Sequence, residues 1–288
     1  MLRIQTILFP VDFSKQCNAA ASHVSALARH FHAKLTAVHV LQNSLPWYAG
    51  LVPSELETTV DITDLLRERK SALDDYLRHE FQDLPQVEKV LEVGDPATLI
   101  AEFARSEHAD LIMMPTHGYG PFRRLLLGSV TAKVLHDAEC PVWTDVHEEV
   151  SFLRAGCQSV LCATDTRPEA VASIRWAAAF AKSYGAQLTL IHAIPALAGL
   201  THVSDERFRR HLAAHARAYI DDLRQEADST ARVCIEGGKI AETVRKAAMQ
   251  YEADVVVIGQ GCMHEALGRL RSNAYEIIRE SPCPVVRV

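Results

Sequence analysis

What the chain lacks narrows its function first. Its longest apolar runs are strand-sized, too short for a membrane-spanning helix. The opening Met1-Leu2-Arg3-Ile4-Gln5-Thr6-Ile7 is interrupted by Pro10 and Asp12 too early for a secretory leader. There is no excess of positive charge. The net charge is −6, which argues against nonspecific binding to nucleic acid or an anionic membrane. The seven cysteines are odd in number and form no Cys-x-x-Cys pair, so buried thiols in a reducing cytoplasm are expected. No Ser-His-Asp, Cys-His or paired-carboxylate arrangement stands out, and no catalytic residue is assigned. What remains is ordinary globular composition, 48% hydrophobic and 23% charged over 288 residues, enough for one large or two medium domains.

The chain repeats itself. Ile7-Leu8-Phe9-Pro10-Val11-Asp12 matches Val160-Leu161-Cys162-Ala163-Thr164-Asp165 at an offset of 153, and Leu35-Thr36-Ala37-Val38-His39-Val40 matches Leu188-Thr189-Leu190-Ile191-His192-Ala193 at the same offset. Asp110-Leu111-Ile112-Met113 matches Asp254-Val255-Val256-Val257 at 144, and Cys140-Pro141-Val142 matches Cys283-Pro284-Val285 at 143. Four segments in one order with a slowly falling offset mean a duplicated domain. The expected domains are residues 1–147 and 156–288, joined through a charged stretch.

Each half alternates short apolar runs with helical patterns. In the first half, strands are expected over 4–11, 34–41, 87–93, 110–115 and 141–146. Ala20, Val24, Leu27 and Phe31 make one face of a first helix, and Leu66, Leu73, Tyr76 and Leu77 one face of a second. Runs such as Leu111-Ile112-Met113-Met114 and Val255-Val256-Val257-Ile258 are apolar on both faces, as in a parallel sheet covered on both sides. The expected fold is α/β, two tandem doubly wound parallel-sheet domains of Rossmann-like type. Such sheets bind ligands beyond the C-terminal strand ends, where the strand order switches.

Two features fall at that rim. Met114-Pro115-Thr116-His117-Gly118 ends a strand, and nine residues later Gly128-Ser129-Val130-Thr131 opens a helix at Ser129 or Val130. Glycines let backbone N–H groups approach an anion, and a helix N-terminus adds free donors and a positive dipole end. The alternative is a plain strand–loop–helix connection with Ser129 as N-cap. Asp12 follows Pro10-Val11 at the end of the first strand, where a carboxylate accepts from ribose hydroxyls or an adenine amine, or else caps the next helix near Ser14. Val40 ends the second strand and offers an apolar wall for a base. Gly94-Asp95-Pro96 marks a strand-to-helix turn.

These residues together resemble the universal stress protein family, in its ATP-binding branch. The family's phosphate pattern is glycine, two residues, glycine, nine residues, glycine, then serine or threonine. Here Thr116-His117, Gly118, Gly128 and Ser129 fill it, and Pro115 replaces the first glycine, removing one amide donor. Pro10-Val11-Asp12-Phe13-Ser14, His39-Val40 and the Cys-Pro-Val before each last strand match as well. The resemblance implies a five-stranded sheet in each half, a bound adenine nucleotide (ATP, or AMP or ADP, with Mg²⁺) and a stress-linked regulatory role through a protein partner it does not identify. It also implies pairing of the two halves through their last strands, with homodimerisation as a further expectation.

The second copy departs further. It reads Gly259-Gln260-Gly261, nine residues, then Arg271-Ser272, and keeps Asp165. Arg271 stands where backbone should approach phosphate, so weak or no ATP binding is expected there, unless its guanidinium itself takes an anion. Other candidates are plainer. His211 and His215 are four apart on a helix but lack further ligands at metal spacing, so no metal site is assigned. His39 and His192 read as packed or hydrogen-bonded core groups, Arg123-Arg124 as a solvated face, and Cys262 as an unreactive thiol. Two other functions stay open: a slow nucleotide hydrolase or nucleotidyl transferase, with Asp12 or His117 as candidate base, and a nucleotide-independent scaffold.

Overall fold

The computed structural model describes residues 2–42, 62–118, 127–145, 156–194, 203–260 and 273–288. The first half runs β1 (Thr6–Pro10), α1 (Lys15–Phe31), β2 (Lys34–Leu41), α2 (Ile62–Glu80), β3 (Val87–Val93), α3 (Pro96–Ser106), β4 (Leu111–Pro115), α4 (Ser129–Asp137) and β5 (Val142–Asp145). The second repeats it as β6 (Ser159–Ala163), α5 (Ala170–Tyr184), β7 (Gln187–Ile194), α6 (Val203–Glu226), β8 (Arg232–Gly237), α7 (Ile240–Gln250), β9 (Val255–Ile258), α8 (Asn273–Glu280) and β10 (Val285–Arg287). β1 begins two residues later and ends one residue earlier than expected, and β4 and β5 each begin one residue later.

The strands form one ten-stranded sheet in the order β3-β2-β1-β4-β5-β10-β9-β6-β7-β8. Within each half all pairings are parallel, and β5 meets β10 antiparallel. The register there is Val142 with Arg287, Trp143 with Val286 and Thr144 with Val285. Because the repeat offset here is 143, exchanging the halves leaves that register unchanged. The two copies therefore meet about a local pseudo-two-fold axis, and each last strand is covered by the other.

Strand alternation explains the packing. Leu111 and Met113 face one helical layer with α1, while Ile112 and Met114 face the other with α3 and α4. Each layer draws residues from both halves, so neither core ends at the join. On the α1 side, Phe180 lies 6.0 Å from Trp143 and stacks on Trp176 at 5.1 Å, and His30 stacks on Tyr184 at 3.6 Å. Each fully buried Leu, Ile, Val or Phe side chain contributes about 1.5–3 kcal/mol. The aspartate before each buried fourth strand is structural. Asp110 Oδ2 accepts from the amides of Gln5 and Thr6, and Asp254 Oδ2 from those of Gln158 and Ser159.

Candidate functional site

The strand order turns between β1 and β4, and their C-terminal ends open a cleft there. From β1, the chain leaves through Asp12 and Phe13, whose φ of 61° lies in the left-handed region that a bulky residue rarely takes. This tight turn is held at both ends. Asp12 Oδ1 accepts from the Ser14 amide at 2.9 Å, and Ser14 Oγ caps α1 by accepting from Cys17 N at 3.1 Å. The cap of α1 is thus Ser14, not Asp12. Asp12 uses one oxygen to brace the turn, and its other oxygen, Oδ2, lies against Gly118. A methyl group on Gly118 would overlap that oxygen, so this position needs glycine for close approach.

The opposite wall is the start of α4. Gly128, not Ser129, is its N-cap, with φ −61° and ψ 144° and no side-chain bond to the first turn. Gly128 N donates to Thr116 O at 2.8 Å, and Thr131 Oγ1 donates to Pro115 O at 3.1 Å, which ties the helix to the end of β4. A helix whose cap lacks a side chain leaves first-turn N–H groups without the acceptor that Ser, Thr or Asp usually supplies. A Cβ on Gly128 would lie 3.3 Å from His117 Cα and 3.4 Å from Thr116 O, a tight fit. Pro115 costs the sheet little. It stands beyond the last β1 partner on β4, and on the other side it is in register with Asp145.

Between these walls lies a cleft of about 370 Å³. Of the residues read from the sequence, Pro10, Val11, Asp12, Val40, Met114, Pro115, Gly118, Gly128, Ser129, Val130 and Thr131 line it. Thr116 and His117 do not. Both are buried, with His117 Nδ1 3.2 Å from Thr116 Oγ1, so His117 is not placed as a base in the cleft. The sequence reading missed Val38, Gln42, Pro96 and Ile100 as lining residues, and His39, read as a core group, borders the cleft as well. Val38 shares the face of β2 that carries Val40, two residues on, and that period was the available signal. His39 turns its ring toward the α1 side. Its Nδ1 lies 2.6 Å from Val11 O and its ring packs on Phe13, and burial lowers its pKa.

The second half builds the same turn and then covers its aspartate. Asp165 Oδ1 accepts from Arg167 N at 3.0 Å, as Asp12 does from Ser14, but Arg167 also lays its guanidinium on Asp165 Oδ2, with Nε at 2.7 Å. Arg167 is the repeat counterpart of Ser14. Asp165, Arg167 and Gly259 line a cavity of about 20 Å³. Gly261, Arg271 and Ser272 lie outside the described residues, as do Arg123, Arg124 and Cys262. His192 Nδ1 meets Thr164 O at 2.8 Å, repeating the His39 bond.

Among the described residues no three His, Cys, Asp or Glu side chains gather at metal distance. The His211–His215 pair stands exposed on α6 with its Nε2 atoms 3.0 Å apart. Burial pushes the Cys17, Cys157 and Cys283 thiols up to about 12 and Cys140 to about 11, which suppresses the reactive thiolate. No helix among the described residues is long and apolar enough to cross a membrane.

The two parallel-stranded halves, the duplicated strand-1 aspartates and the glycine-capped fourth helix define a tandem α/β protein of one recognisable class. The family model described as the universal stress protein family matches residues 3–145 and again 156–288. The chain belongs to the universal stress protein family, as two tandem copies. A universal stress protein of Methanocaldococcus jannaschii is 35% identical over 137 residues, which cover 47% of this chain and 78% of the relative. One of Thermus aquaticus is 33% identical over 140 residues, 48% of this chain and 96% of the relative. The crystal structure of a universal stress protein from Archaeoglobus fulgidus shares the fold over 99% of this chain and 96% of its own, with a TM-score of 0.71 at 20% identity.

Proposed function

We propose that the first half binds ATP with Mg²⁺, and that the chain acts as a nucleotide-dependent binding module in a stress response rather than as a catalyst. The observation that carries this is the start of α4. Its glycine cap leaves amide donors facing a cleft whose far wall is the Asp12 carboxylate. Phosphates fit the donor side, at Gly118 and Gly128 through Thr131, because backbone N–H groups and the helix dipole favour anions. The nucleoside fits the other side, with Val38, Val40 and Met114 against the base and Asp12 Oδ2 as acceptor. A cleft of about 370 Å³ is within the usual range for small-ligand sites, roughly 300–1,000 Å³.

The residues present fit Mg²⁺ only through the nucleotide. No carboxylate cluster stands among the described residues, so the ion is held by phosphate oxygens and water. Among the described residues, Asp12 is the one carboxylate lining the cleft. With one oxygen braced on the Ser14 amide, it is arranged to bind rather than to move protons. That supports a regulatory reading over hydrolysis.

Two measurements test the proposal. Mass spectrometry of the nucleotide released on denaturing purified protein identifies ATP, ADP or AMP. Titration calorimetry then compares the wild type with Gly128→Arg, which imports the second half's own residue. At least tenfold weaker ATP binding is expected, and unchanged affinity in a folded variant overturns the assignment.

A further inference from the structure

The helix that opens on the cleft is held from outside its own half. Tyr275 on α8 donates its hydroxyl to Ala132 O, in the first turn of α4, at 3.0 Å. At the other end, Arg287 on β10 is 1% exposed. It reaches across the β5–β10 seam to donate to Ala138 O at 2.8 Å and Cys140 O at 3.2 Å, the carbonyls at and just beyond the C-terminus of α4. Both ends of α4 are thus gripped by the second half.

The grip runs one way. At an offset of 143, Tyr275 and Arg287 correspond to Ala132 and Thr144. Ala132 has no donor to offer in return, and Thr144 Oγ1 donates to Val285 O, within the strand pair itself, at 3.0 Å. The carbonyl that corresponds to Cys140 O is that of Cys283, and it is served locally by Ser281 Oγ at 2.7 Å. The first half has Ala138 in place of Ser281 and takes Arg287 instead. The chain has therefore exchanged a local cap for a cation supplied from the other copy, on the helix that keeps its glycine turn.

We infer that the second half is a positioning unit for the nucleotide site of the first, acting through Tyr275 and Arg287 on α4. The inference rests on the ATP reading above. Two physical effects serve it. Tyr275 and Arg287 fix α4 against the seam, so the amides of Ser129, Val130 and Thr131 are preorganised before an anion arrives. A buried cation at the carbonyl end also offsets the negative pole of the helix, leaving its positive pole, about 13 Å away, facing the phosphates. By linkage, nucleotide in the first half tightens the grip of the second, which carries occupancy across the seam.

The test uses the full chain. Arg287→Met keeps the volume and removes the donor and charge, Arg287→Lys restores the charge, and Tyr275→Phe removes one hydroxyl. Calorimetry is run with Mg-ATP and with adenosine, which has no phosphate. Arg287→Met is expected to weaken ATP about three- to tenfold with adenosine unchanged within twofold. Arg287→Lys should recover most of that loss, and Tyr275→Phe should weaken ATP about twofold. Hydrogen exchange on nucleotide-free protein should show faster exchange in α4 and none in α3. Equal losses for ATP and adenosine would mark general loosening and overturn the inference. So would unchanged exchange of α4 in folded Tyr275→Phe and Arg287 variants. If the wild type binds no ATP, the nucleotide reading itself fails, and α4 exchange still decides whether the second half positions that helix.

Discussion

Asp12 and Asp165 stand at equivalent points and make the same first bond, one carboxylate oxygen to the amide two residues on. Their second oxygens have different fates. In the first half, Oδ2 rests against a glycine at the edge of an open cleft. In the second, an arginine covers it. The backbone turn therefore survives duplication on its own, because it is satisfied locally. The open acceptor does not: one substitution, Ser14 to its counterpart Arg167, is enough to engage it.

The largest effect expected from that contrast is on stoichiometry. Equilibrium dialysis should saturate near one ATP per chain. Asp12→Ala removes a charged acceptor, and hydrogen bonds to charged groups are worth about 1.5–3 kcal/mol, so ATP should weaken about ten- to a hundredfold. Asp165→Ala should change affinity less than twofold, since its carboxylate is already engaged. Two sites of similar affinity, or equal losses from the two mutations, would show that the second copy has rebuilt its anion site.

The next effect separates the two walls of the cleft. Gly118 belongs to the phosphate side, but Gly118→Ala pushes a methyl group into Oδ2 of Asp12, the nucleoside acceptor. ATP and adenosine should both weaken, by about tenfold if Asp12 loses its place. Gly128→Arg acts on the phosphate side and should spare adenosine. A Gly118→Ala chain that loses ATP alone would show that Asp12 keeps its place and that Gly118 serves only the phosphates.

Much of this was legible in the sequence, for identifiable reasons. β4 and β9 read as buried strands because they are apolar on both faces, and the duplication showed in matched strands at a falling offset. Gly118 and Gly128 were visible because close approach leaves only one residue type. Phase along a strand was less legible. Val40 stood out at a strand end, while Val38, on the same face but inside the strand, drew no assignment. Arg167 was missed because its role depends on a rotamer that folds back two residues. The grip of Tyr275 and Arg287 on α4 was missed because it joins residues more than 140 apart, across a seam that local pattern does not encode.

The smallest effect tests the comparison away from the cleft, at the third helix of each half. In the first half α3 begins with Asp95 as N-cap, accepting from Thr98 N at 3.0 Å, and with Pro96 in its first turn. Its counterpart α7 begins with Lys239, which makes no side-chain cap bond. Lys239→Asp should raise stability by about 0.5–1 kcal/mol, and Asp95→Ala should lower it by about 1 kcal/mol. The two changes also differ in their pH dependence. Hydrogen bonds from Thr98, and then from Lys133, hold Asp95 down at about 2, below the usual carboxylate value. A carboxyl that is more acidic folded than unfolded stabilises the protein above its unfolded pKa of about 3.9 and loses that contribution as pH falls toward 2. The Asp95 side chain is 56% exposed, so solvent screening keeps the electrostatic part below about 1 kcal/mol. Thermal melts from pH 6 down to 2 should therefore show wild type and Asp95→Ala converging at the acid end. Curves that stay parallel throughout would mean that the cap at Asp95 contributes through shape rather than charge.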